Sequence, residues 1–178
     1  MAGIYLHIPF CKTRCIYCDF YSTTRSELKT HYVHTLCREL EMRKEYLKGE
    51  PIETIYFGGG TPSQLEEADF KRIFETIREN YGMEHCREIT LEANPDDLSQ
   101  EYLKMLSSLP FNRISMGIQT FDDTTLRLLK RRHNSQTAIE AVRRCREAGF
   151  QNIIMLEGSW VGDKTRESMK VCGYEKLS

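Results

Sequence analysis

Ile4-Tyr5-Leu6-His7-Ile8-Pro9-Phe10-Cys11-Lys12-Thr13-Arg14-Cys15-Ile16-Tyr17-Cys18-Asp19 decides how the chain is read. Residues 3–8 form an apolar run ended by Pro9, which reads as a buried strand. The run leads without a linker into three cysteines spaced Cys-x-x-x-Cys-x-x-Cys. These spacings put the thiols in one loop, compact enough for a single metal centre. Three thiolates leave one coordination position unfilled, whereas a structural zinc site or a fully protein-ligated iron–sulfur cluster takes four ligands. Three readings compete: chance clustering, a zinc site completed by His7 or Asp19, and an iron–sulfur centre with an open position. The third is preferred, and the rest of the chain has to support it.

At 178 residues the chain is long enough for one domain with its own core. Its 25 basic and 26 acidic side chains leave a net charge of −1, which argues against a nucleic-acid footprint or a membrane-surface binder. No apolar run is long enough to span a bilayer. The first ten residues lack the basic segment and the small-residue cleavage site of a secretory signal. Cys37, Cys86, Cys145 and Cys172 are scattered singly, as reduced thiols are rather than a disulfide framework. A soluble, cytoplasmic protein is expected.

Ser26 reads as a helix N-cap, with Leu28, Tyr32, Leu36, Leu40 and Leu47 on one face and Gly49 and Pro51 closing the helix. Residues 52–57 are rich in β-formers and are stopped by Gly58-Gly59-Gly60-Thr61-Pro62. Ser63 and Glu66 have capping-box spacing, opening a helix striped by Ile73, Phe74, Ile77 and Tyr81. Further strands are expected at 88–93, 111–118 and 151–156. Between them lie a short helix capped by Ser99 and a helical pattern over 123–130 that pauses at His133-Asn134-Ser135 and resumes to Gly149. Regular alternation of strand and helix means an α/β fold with a parallel sheet and crossover helices. After Glu157 no period is visible, so residues 1–157 are expected to form the core and 158–178 a divergent tail.

In such folds chemistry gathers at the carboxyl ends of the strands. Strand one delivers the cysteines and strand two the glycine run. Strand three ends at Glu92, and strand four is followed by Gln119. The glycine run fits neither a phosphate-binding Gly-Lys-Ser/Thr loop nor Gly-x-Gly-x-x-Gly. It reads either as a tight strand-to-helix turn or as a place where a ligand approaches the backbone. Glu92, a carboxylate in an apolar strand, needs a cation or a donor. A ligand amine or ribose would serve, and a solvated strand end is the alternative. Gln119 also reads as an ordinary polar strand end.

Taken together, these features resemble the radical S-adenosylmethionine superfamily, whose signature is a Cys-x-x-x-Cys-x-x-Cys loop after the first strand. Tyr-Leu-His-Ile-Pro-Phe-Cys, Cys-Asp-Phe, Tyr-Phe-Gly-Gly-Gly-Thr-Pro-Ser, Glu-Ala-Asn-Pro and Asn-Arg-Ile-Ser-Met-Gly-Ile-Gln-Thr-Phe-Asp-Asp more narrowly resemble the HemW haem chaperones, the oxygen-independent coproporphyrinogen oxidase-like proteins. Cys-Asp-Phe favours that group over coproporphyrinogen dehydrogenase, which has Cys-Gly-Cys there.

The resemblance implies a partial parallel (βα) barrel, here about five of six units. It implies that Cys11, Cys15 and Cys18 hold a [4Fe–4S] cluster whose free iron is chelated by S-adenosylmethionine. An electron then cleaves the sulfonium to give a 5′-deoxyadenosyl radical. By match to the family, Tyr5 and Tyr17 flank the cluster and the adenine. Gly59, Gly60 and Thr61 meet the methionyl part, and Glu92, Gln119 and Arg131 the nucleoside and carboxylate. Periodicity alone would make Arg131 a solvent-facing helix charge. Implied partners are haem or a porphyrin, a haem-acceptor protein, and a reductant such as flavodoxin or ferredoxin. No histidine stands out as haem ligand; surface or capping roles are expected for all five, His133 included.

The chain departs from the pattern at strand five. The family has a ribose-binding aspartate in Asp-Leu-Ile-Tyr-Gly-Leu-Pro, and Leu156 is aligned with it here. Glu157, one residue on, points to the opposite face of a regular strand. The family's sixth strand and its C-terminal domain with His-Asn-x-x-Tyr-Trp are missing, which reads as a truncated copy. Its open sheet edge is an association hazard, so a homodimer is among the expected states. Three functions follow: a haem chaperone, an oxidoreductase of the coproporphyrinogen type, or an inactive cluster-binding remnant.

Overall fold

A computed structural model describes residues 2–157. The expected tail at 158–178, Cys172 included, lies outside the described residues. Five strands form one parallel sheet in sequence order: β1 (Ala2–Ile8), β2 (Ile52–Gly59), β3 (Glu88–Ala93), β4 (Arg113–Gln119) and β5 (Asn152–Glu157). The crossovers are α1 (Lys29–Met42), α2 (Glu67–Tyr81), α3 (Gln100–Ser107) and the pair α4 (Asp123–Leu128) and α5 (Ser135–Glu147). This is the α/β architecture expected, a partial barrel whose described residues make four βα units and a fifth strand.

Strand alternation divides the sheet into two faces. Leu6, Ile8, Ile55, Phe57, Leu91, Ile114, Met116 and Ile118 are buried against the helices. Tyr5, His7, Tyr56, Glu92, Gly117 and Leu156 occupy the other parity. The core centres on Phe57, whose ring meets Phe70, Phe74 and Phe111 at centroid distances of 5.7, 5.4 and 5.2 Å. Edge-on and tilted contacts of this kind add to area burial.

Element ends differ from the sequence reading in places. Ser26 begins a single 3-10 turn and caps nothing with its side chain; α1 stops at Met42, and Leu47 sits in a separate turn ended by left-handed Lys48 (φ 51°). The capping box of α2 uses Glu66 and Asp69, not Ser63 and Glu66. Ser63 lies one turn earlier, where its hydroxyl donates to Asp97 at 3.0 Å. Phe111 precedes β4 and fills the aromatic cluster instead. Ser99 caps α3 as expected.

Phe57→Ala should destabilise the fold by about 3–5 kcal/mol, because the space it leaves is walled by three other rings. Met42→Ala, on the exposed end of α1, should stay within about 0.5 kcal/mol. Urea unfolding of both variants measures the contrast.

Candidate functional site

The carboxyl ends of the five strands surround one cavity. Its wall takes Cys11, Cys15, Tyr17 and Cys18 from the loop after β1 and Gly59, Gly60 and Thr61 from the end of β2. Glu92 and Asn94 come from the end of β3, Gln119 from β4 and Leu156 from β5; Arg131 enters from the turn after α4. All the residues expected at the site meet there except Tyr5. That ring lies one row deeper, 56 % exposed and stacked on Tyr56 with centroids 6.0 Å apart.

The glycines have a structural reason of their own. The Gly60 N–H donates to the Ile8 carbonyl at 2.8 Å, and a Cβ on Gly60 would lie 2.8 Å from the Pro9 backbone. Gly59 has φ 109°, and a Cβ there would reach the His7 ring at 2.7 Å. The run therefore closes β2 tightly against the exit of β1 and leaves its backbone bare toward the cavity. Thr61, buried by this closure, donates its hydroxyl to the Cys11 sulfur at 3.3 Å.

Glu92 is not a solvated strand end. It is half-buried, accepting from the Tyr56 hydroxyl at 2.6 Å and from the Gly59 N–H at 3.2 Å. Burial and the bond to Glu92 push the Tyr56 phenol up to about 12. Gln119 ends β4 with φ 72°, strained for a residue with a side chain. The sheet is bulged there, and Gln119 pairs with Glu157 while Gly117 pairs with Leu156. Leu156 thus lies in the cavity wall, where the sequence pattern had lost its carboxylate.

Arg131 is not the solvent-facing helix charge that periodicity suggested. α4 ends at Leu128, and left-handed Lys130 (φ 56°) swings the next residue inward. The guanidinium donates to the Asn94 side-chain carbonyl at 2.7 Å, to the Gly117 carbonyl and to the Cys15 sulfur at 3.5 Å. Its Nε is buried without a partner. Asn94, which sequence reasoning missed, also reaches the Thr61 hydroxyl at 3.4 Å. A polar arc thereby runs from Cys11 through Thr61, Asn94 and Arg131 to Cys15.

Asp97 was also missed. Its side chain is 2 % exposed and accepts from Lys12 Nζ (3.0 Å), Ser63 Oγ (3.0 Å), Gln64 Nε2 (2.9 Å) and Arg132 Nη2 (3.1 and 3.2 Å). The one sequence signal was a pair of acidic residues directly after the strand-three proline; its distant partners leave no local trace.

Burial raises the Cys11 thiol above its ordinary pKa, and the neighbouring thiols add to this against the Thr61 bond. Burial likewise carries the Tyr17 phenol to about 12. No three His, Cys, Asp or Glu side chains among the described residues converge as a cage for a single metal ion. Both ring nitrogens of His7 are engaged, with Tyr5 and with the Tyr21 carbonyl, which turns it from the zinc role considered above.

A sequence model described as the Radical SAM superfamily matches residues 5–164. The chain belongs to this family. Membership brings a [4Fe–4S] cluster and S-adenosylmethionine as the cofactor class, and the residues present fit it: Cys11, Cys15 and Cys18 line one cavity from a single loop, and the buried Arg131 Nε beside them lacks an acceptor. The chain is 41 % identical over 157 residues to the haem chaperone HemW of Bacillus subtilis, covering 86 % of this chain and 41 % of the relative. It is 39 % identical over 150 residues to the haem chaperone HemW of Lactococcus lactis, covering 84 % and 38 %. Among solved structures, coproporphyrinogen III oxidase of Escherichia coli, a radical SAM enzyme, superposes with a TM-score of 0.77 at 31 % identity, over 86 % of this chain and 36 % of that one. The chain spans about two fifths of the length of these relatives. No helix among the described residues is long and apolar enough to cross a membrane.

His133 is neither exposed nor a cap; Asn134 caps α5. The buried ring pairs through Nε2 with the Ile118 carbonyl at 3.1 Å, and burial pushes its pKa down to about 4, with Arg131 and Arg132 acting the same way. Asp96 lies 3.9 Å from Nδ1, and Asp123 opposes the downward shift. A folded pKa below the unfolded 6.5 gives stability that is complete above that pH and lost as the pH falls toward about 4. His133→Gln, which keeps a donor for Ile118, should therefore unfold in urea with a weaker pH dependence than wild type between about pH 6.5 and about pH 4.5.

Proposed function

We propose that the chain does the cofactor-holding work of a HemW-type haem chaperone. Cys11, Cys15 and Cys18 hold the [4Fe–4S] cluster. Gly59, Gly60 and Thr61 would meet the methionyl part of S-adenosylmethionine, and Glu92, Gln119 and Arg131 its nucleoside and carboxylate. Tyr17 covers the loop side, and Tyr5 supports Tyr56 one row deeper. When bound, the pair supplies one-electron chemistry at a sulfonium.

The arc from Cys11 through Thr61, Asn94 and Arg131 to Cys15 carries this reading. It joins two of the three thiols to residues that line the same cavity. In this role the chain's own groups place donors. Arg131 offers Nε and a positive charge to a carboxylate. Glu92 holds the glycine loop through the Gly59 N–H, and Thr61 and Arg131 donate toward two sulfurs, which tunes a cluster held there. Haem or a porphyrin is the proposed cargo, passed to an acceptor protein, with flavodoxin or ferredoxin as reductant.

The similarity to Escherichia coli coproporphyrinogen III oxidase favours a second reading, oxidative decarboxylation of a porphyrinogen. Anaerobic reconstitution separates the two. Wild type should show iron–sulfur absorbance and bind haem in titration, without decarboxylating coproporphyrinogen; decarboxylation would establish the second reading. Cys15→Ala should lose the absorbance, and a normal spectrum would remove the cluster assignment. Reductive release of 5′-deoxyadenosine should be slow in wild type, because Leu156 leaves the strand-five wall apolar. Leu156→Asp restores a charged acceptor and should tighten S-adenosylmethionine binding about tenfold, read by equilibrium dialysis.

A further inference from the structure

Asp97 joins three segments at one buried carboxylate, apart from the Thr61–Cys11 and Arg131–Cys15 contacts that also link them. Lys12, between the first two cysteines, donates to one carboxylate oxygen, and Ser63 and Gln64, after the glycine run, donate to the other. Arg132, next to Arg131, reaches both oxygens, and its same nitrogen lies 2.8 Å from Asp96. Two carboxylates thus face two cations, and the charge of the network is balanced.

A buried carboxylate with four donors has little freedom to move, because leaving any donor unsatisfied is unfavourable. Lys12 differs from the other partners: its side chain is 55 % exposed, so it tethers the cysteine loop from outside rather than packing in the core. Removing that tether leaves Ser63, Gln64 and Arg132 in place around Asp97.

We propose that Asp97 is a positioning residue for the cysteine loop, fixing Cys11, Cys15 and Cys18 through Lys12 in register with the Arg131–Arg132 corner before any cofactor arrives. The proposal rests on the cluster reading for its purpose, but the tether itself is a contact between two of the chain's own side chains. It gives Asp97 a role that neither spacing nor family signature assigns.

The test compares wild type, Lys12→Met, Lys12→Arg and Asp97→Asn with three readouts. These are the thermal midpoint, the rates at which iodoacetamide alkylates each cysteine of the metal-free chain, and the rate at which reconstituted protein loses iron to a chelator. Lys12→Met should leave the midpoint nearly unchanged while alkylation of Cys11, Cys15 and Cys18 and iron loss accelerate about two- to fivefold, the range a partly exposed ion pair allows. Alkylation of buried Cys37 and Cys145 should not change, and Lys12→Arg should restore wild-type rates. Asp97→Asn should give larger accelerations with a lower midpoint. Wild-type rates of both alkylation and iron loss in Lys12→Met would overturn the proposal. If wild type takes up no iron, the cluster reading fails, and the alkylation rates alone still decide whether the tether exists.

Discussion

Parallel strands cannot be joined by tight turns, so each of the four connections among the described residues returns through a helix, and all five strands end at the same edge of the sheet. Everything distinctive about the site follows from that constraint. The cysteine loop, the glycine run, the Asn94–Asp97 turn and the Gln119 bulge are remote in sequence, yet each lies at or directly after the carboxyl end of a strand. What remains is to hold these exits in register. Backbone does this between β1 and β2, where Gly60 donates to Ile8, and side chains do it farther along, through Glu92, Asn94 and Asp97.

Much of this was legible in the sequence. Buried parallel strands are short continuous apolar runs, so all five were found, with β3 at its observed limits. Helix ends were less legible, because capping is a contest between neighbours that tertiary contacts settle. Ser63 had the right spacing for a cap, but a buried carboxylate claimed its hydroxyl and left the cap to Glu66 and Asp69. Phe111 looked like the first residue of a strand, and three aromatic rings drew it out of the sheet.

The site divided in a similar way. The cysteines stood out by their spacing, whereas Gly59, Gly60, Thr61, Glu92 and Gln119 could be placed at strand exits but took their ligand roles from the family resemblance. Arg131 was legible only through family resemblance, since the left-handed turn at Lys130 breaks the helical period that its reading relied on. Asn94 and Asp97 left only a faint trace, an Asn-Pro strand end and an acidic pair after it, because their partners lie between 33 and 85 residues away in sequence. On strand five, sequence and geometry agree that an apolar side chain stands in the wall, for Leu156 keeps the register opposite Gly117.

In the proposed site three cysteines leave one iron open, and the strand ends facing it receive S-adenosylmethionine. Electron paramagnetic resonance of the reconstituted, dithionite-reduced protein, recorded with and without S-adenosylmethionine, addresses that claim most directly. A reduced [4Fe–4S] signal whose g values shift when S-adenosylmethionine is added is expected, because the ligand binds the open iron. A reduced cluster whose signal is identical at saturating S-adenosylmethionine would contradict it.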